Sequence, residues 1–83
     1  MSITLTTRER ETLGGAFAEQ LLHSQDADPT KLPGLVNSRD WEIAEPHERR
    51  QMLADIAHAA AAKLLQCGYP PDIIRQKTAR WLT

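Results

Sequence analysis

At 83 residues, 41% apolar and 25% charged, the chain has room for one small domain and the composition of a globular fold rather than a disordered tail. Its formal net charge of −1 argues against a general nucleic-acid binder, which is normally basic. So short a chain buries a modest share of its surface, and self-association is a common remedy.

The start, MSITLTTRERE, lacks the basic-then-apolar block of a signal peptide. No apolar run approaches the ~20 residues of a membrane span. Cys67 is the only cysteine, so no internal disulfide can form and a reducing compartment is expected. The sequence therefore predicts a soluble, cytoplasmic, non-membrane protein. Phe17, Trp41, Tyr69 and Trp81 are the only aromatics, which leaves Leu, Ile and Ala to build the core.

In chain order, Ser2 to Leu5 reads as an extended lead-in. Thr6 and Glu9 have the spacing of a capping box. Leu13, Phe17 and Leu21 then recur at four-residue steps beside Ala18 and Leu22, predicting a helix over 7–24. Gly14-Gly15 lies inside it, where each glycine costs about 1 kcal/mol relative to alanine. Either another helix crosses closely there, or the helix kinks.

Residues 25–37 read as a linker, with turn dipeptides Asp28-Pro29 and Pro33-Gly34, and with Leu32, Leu35 and Val36 pinning it to the core. Ser38 opens a short fourth helical element, Arg39 to Ile43, that buries Trp41 and Ile43. Pro46 suits a first helical turn, and Glu48 suits the positive end of the helix dipole. Met52, Leu53, Ile56, Ala57, Ala60, Leu64 and Cys67 predict a central helix over 46–67. Gly68 ends it and Pro70-Pro71 restart the chain. A last helix follows over 71–82, with Ile73, Ile74, Thr78, Trp81 and Leu82 inward and Arg75, Gln76, Lys77 and Arg80 outward. The expected fold is a single all-α domain over 1–83: a small bundle of three main helices, with a fourth short one, ending in a helix-turn-helix corner.

Site chemistry is sparse. His23, His47 and His58 form no ligand pair at i, i+4, and Cys67 has no CxxC partner, so no metal is signalled. Asp55 and His58 have the spacing of a helical hydrogen-bonded pair, half of a general-base arrangement, without a placed nucleophile. Cys67, at a helix C-terminus, is a poor thiolate and reads as a small buried hydrophobe. Gly14-Gly15 lacks the strand, spacing and lysine of a phosphate loop. These residues predict no catalytic activity and no cofactor.

Charge is lopsided. Residues 19–48 carry seven acids against two bases, whereas residues 56–83 carry four bases against one acid. Solvated helix faces and cations at a helix C-terminus account for this, as does a basic docking face or head-to-tail pairing of copies.

The segment from Ala57 to Leu82 resembles a DNA-binding helix-turn-helix in outline. That resemblance implies a recognition helix carrying Arg75, Gln76, Lys77 and Arg80 into the major groove. It departs from the pattern in overall charge, in Leu64 where a small residue is usual, and in Pro70-Pro71 within the turn. The string Leu65-Gln66-Cys67-Gly68-Tyr69-Pro70 is also similar to the Met-Gly-Phe/Tyr loop of ubiquitin-associated domains. That match spans a few residues only and carries no function over.

The expected function is a non-enzymatic protein-interaction or regulatory module acting as a homodimer, with Trp81, Ile74, Arg80, Lys77 and Arg75 as interface residues and Trp81 as the anchor. The alternative is a DNA-binding regulator using Arg75, Gln76, Lys77 and Arg80.

Overall fold

The computed structural model describes residues 3–24 and 26–82. Ser2, at the head of the expected lead-in, and Gln25, at the head of the expected linker, lie outside the described residues, as do Met1 and Thr83. The elements run α1 (Thr7–His23), a 3-10 turn (Pro29–Lys31), α2 (Pro33–Val36), α3 (Arg39–Ile43), α4 (Pro46–Gln66) and α5 (Pro71–Leu82). The all-α architecture with three main helices is therefore present, and the described residues contain no strand.

Helix α1 begins as its sequence dictates. The Thr6 hydroxyl accepts the Glu9 N–H at 3.1 Å, and the Glu9 carboxylate accepts the Thr6 N–H at 3.1 Å, so two orphan donors of the first turn are satisfied reciprocally. The helix then runs unbroken through Gly14-Gly15. Close crossing, rather than a break, explains the glycines: a Cβ on Gly14 would meet the Ala59 Cβ at 2.5 Å and the Ala59 carbonyl carbon at 3.1 Å.

Helix α4 is the axle of the fold, packed on α1 along one side and on α5 along another. Phe17, Met52, Ile56, Ala57 and Ala60 are wholly enclosed, with Leu13, Leu21, Leu64 and Ile74 closing around them. At the end of α4, Gly68 takes φ 91°, its N–H donates to the Leu65 carbonyl at 3.0 Å, and the Tyr69 N–H donates to the Leu64 carbonyl at 3.2 Å. This is the Schellman stop, and the left-handed φ alone requires glycine, because a Cβ there would meet nothing within 4 Å.

Several expectations need correction; on α5, Ile73, expected inward, is 41% exposed. The linker over 25–37 contains both a 3-10 turn and α2. Proline is as well placed at the first position of a helix as in a turn, and both pieces start on one. Within them Leu32 and Leu35 are buried, but Val36 faces solvent. Asp28 caps the 3-10 turn. The Thr30 hydroxyl (2.6 Å) and amide (2.9 Å) donate to its carboxylate, and the hydroxyl does most to hold that carboxyl below the usual aspartate range.

Helix α3 buries none of its residues fully: Trp41 is half-buried and Ile43 is 57% exposed. The helix is held from outside instead. Arg49 donates from Nε to the Trp41 carbonyl at 2.9 Å and from Nη2 to the Glu42 carbonyl at 3.1 Å, while its guanidinium lies 5.0 Å from the Trp41 ring centroid. Finally, Cys67 is exposed, not a core residue, because it caps α4 as the chain turns outward.

Glu48 acts over a longer range. Its two carboxylate oxygens accept the N–H of Glu45 at 3.0 Å and the N–H of Ile3 at 2.5 Å, so one buried side chain caps α4 and ties the lead-in across the start of the helix. These two backbone donors, Glu45 first, pull its carboxyl below the usual glutamate range. A depressed folded pKa gives stability that is complete above the unfolded pKa and lost as pH falls through the folded one. The stability gap between the parent and Glu48→Gln, from urea melts, is expected to be constant from pH 7 to about 5 and to shrink below about pH 4. A gap that stays constant down to pH 3 sinks this account.

Candidate interaction face on the last two helices

Helices α4 and α5 form an antiparallel pair closed at Gly68, and one side of their seam is open. Near the corner, Ala61, Ala62, Leu65, Pro71, Ile74 and Leu82 line an apolar groove of about 290 Å³ with Arg75 and Thr78 at its edge. Farther along, Leu82 also enters a wider cleft of about 580 Å³. Its half-buried lining is Leu53, Ala54, Trp81 and Leu82, and its exposed rim is His47, Arg50, Gln51 and Arg80. Groove and cleft adjoin at Leu82, which lines both.

The structure distributes the expected interface residues along that face and away from it. Arg75 edges the groove, and Arg80 and Trp81 wall the cleft. Ile74 is 7% exposed, so it is a core residue that forms the groove floor rather than a projecting anchor. Thr78 beside it is fully buried and meets its hydrogen-bonding need locally, donating to the Ile74 carbonyl at 2.8 Å.

Lys77 turns the other way. Its ammonium donates to the Leu21 carbonyl at 3.1 Å, satisfying an acceptor in the last turn of α1 where the helix dipole favours a cation. Gln76 and Lys77 line, with Arg80 and Trp81, a further depression beside Leu21 and Ala27. Of the four DNA-candidate side chains of α5, three thus share this depression, Lys77 among them bonded to α1, and Arg75 lies apart on the groove.

Trp81 has two roles. Its ring meets Phe17 edge-on, with centroids 6.2 Å apart and planes at 83°, so it closes the core between α1 and α5. Its exposed part walls the cleft, and the Arg80 guanidinium sits 5.2 Å from its centroid.

His47 and Arg50 of α4 also belong to this face. Their link to α5 is purely tertiary, and no local spacing signals it. Other pairings also differ from expectation. The Asp55 carboxylate accepts the Gln51 amide at 3.1 Å, one turn before it, in place of a bond with His58. Glu45, His47 and Glu48 bring one ligand-type atom each within 4.8 Å of one another. Helix capping accounts for that cluster, since both Glu48 oxygens hold backbone N–H groups and His47 Nδ1 lies 3.6 Å from Glu45.

No family model, curated protein or solved structure matches the chain. Among the described residues no helix is long and apolar enough to cross a membrane.

Proposed function

We propose that this chain is a non-enzymatic protein-binding module that works as a homodimer, and that the open side of α4 and α5 is the surface it offers. The observation that supports this most directly is the adjoining groove and cleft: an apolar floor, arginines on the rim and a tryptophan wall, the composition enriched in interface hot spots. Leu65, 57% exposed on the groove, adds apolar surface that a lone small domain gains nothing by showing to water.

Leu65 is the cleanest probe, because it lies outside the core. Sedimentation equilibrium is expected to show a dimer that Leu65→Asp weakens by roughly tenfold or more. Its melting temperature at dilutions where both chains are monomeric should stay within a few degrees of the parent. A parent that sediments as a monomer overturns the homodimer, and an unchanged dimer in the variant removes the groove from the interface.

DNA reading by α5 has less to draw on, since Lys77 is committed to α1. Salt-dependent retardation of duplex DNA in a gel shift would revive it.

A further inference from the structure

Beside the basic cleft stands a small acidic projection. Ile43, 57% exposed, ends α3 between Glu42 and Glu45, both exposed. Exposing an isoleucine there is not a consequence of slack. Arg49 clamps the carbonyls of Trp41 and Glu42 and stacks on Trp41, so the end of α3 is held in place with Ile43 facing outward.

The cleft is its chemical opposite. Arg50 from α4 and Arg80 from α5 rim an apolar floor of Leu53, Ala54 and Leu82. Among the described residues neither guanidinium has a carboxylate within 4.0 Å; Asp28 feels the charge of Arg80 only from farther away. Projection and cleft adjoin on the surface, because Glu45 lies 3.6 Å from His47, itself a rim residue.

An acidic-apolar projection next to a basic-apolar cleft on the same surface is self-complementary. A two-fold axis needs that property, since each copy must offer to its partner what the partner offers to it. We infer that the cleft's occupant is the end of α3 from a second copy: Ile43 on the apolar floor, Glu42 and Glu45 against Arg50 and Arg80, with the exchange made twice across the axis. This rests on the homodimer proposed above and names the segment that the face receives.

Charge reversal tests it on the full chain. Arg50→Glu with Arg80→Glu makes both cleft and projection acidic, and Glu42→Arg with Glu45→Arg makes both basic. All four positions are exposed, but Glu45 is also the N-cap of α4, so circular dichroism and melting must first show that each variant folds. Each double variant alone is expected to dimerise roughly 100-fold more weakly than the parent, because like charges then face each other at both exchanges. Mixed in equal amounts, the two should form a heterodimer within about tenfold of the parent affinity, as every contact is opposite in sign again. If the parent dimerises and the reversals leave its affinity unchanged, or the mixture fails to associate, this pairing is wrong and the homodimer stands on another surface. A parent that stays monomeric to about 1 mM removes both proposals.

Discussion

Gly14→Ala lowers the stability of this fold, while Gly15→Ala, one residue along the same helix, does not. In an isolated helix both changes would help by up to about 1 kcal/mol, since glycine is the costlier residue in a helix interior. What differs is the neighbour. A Cβ at Gly14 would meet the Ala59 Cβ at 2.5 Å, the Ala59 carbonyl carbon at 3.1 Å and the Ala60 nitrogen at 3.2 Å, none of which can rotate away. Helices α1 and α4 would have to separate along the main packing seam of the domain. Overpacking of this kind costs about 1–3 kcal/mol, enough to outweigh the propensity gain. For a domain of this size the melting temperature should fall by roughly 5–10 °C.

A Cβ at Gly15 would meet only the methylenes of Lys63, the nearest at 3.3 Å, and an exposed lysine can swing aside. Gly15→Ala should therefore be neutral or stabilising by up to about 1 kcal/mol. Ala59→Gly removes the closest atom, so Gly14→Ala with Ala59→Gly should be more stable than the sum of the singles, by about 0.5 kcal/mol or more in a double-mutant cycle. Equal melting temperatures for Gly14→Ala and the parent would show that the crossing is looser than described.

That crossing shows where sequence reading reached and where it stopped. The stripe of Leu13, Phe17 and Leu21, the Thr6–Glu9 box and the Gly68 stop were legible because each is local: a periodicity, a three-residue spacing, a backbone conformation only glycine adopts readily. The glycine pair signalled a close approach or a kink, but choosing between them required Ala59, forty-five positions away from Gly14. Glu48 bonding to Ile3 and Lys77 to Leu21 are likewise long-range, and nothing in the sequence near either residue marks its partner.

The errors share that origin. Ile43 and Cys67 are apolar or soft and sit in helical spacing, so periodicity placed them inside. The structure puts both at helix ends, where the chain is turning away from the core. The open face was half-legible. Its α5 residues were readable from charge and tryptophan content, whereas His47, Arg50 and Leu53 join it only because α4 runs antiparallel beside α5.

Trp81→Ala unsettles the monomer before any partner is considered, and this limits it as an interface probe. Trp81 joins the two longest-range parts of the core, packing edge-on against the fully buried Phe17 of α1 from the last turn of α5. Truncating a wholly buried tryptophan costs about 3–5 kcal/mol; Trp81 is half-buried, so about 2 kcal/mol is expected, part of it the aromatic pair itself. That corresponds to a fall in melting temperature of roughly 8–16 °C in a domain this small. Trp81→Phe keeps an edge to present to Phe17 and should recover at least half of the loss. The cleft wall distinguishes the two roles. Trp81→Phe surrenders indole surface and part of the platform under Arg80, so it should weaken self-association more than it weakens the fold. Thermal melts at low concentration, set beside sedimentation at high concentration, separate the contributions. If Trp81→Ala melts with the parent, the edge-on contact with Phe17 does not help to close the core. If Trp81→Phe dimerises as the parent does, the exposed part of the indole lies outside the dimer interface.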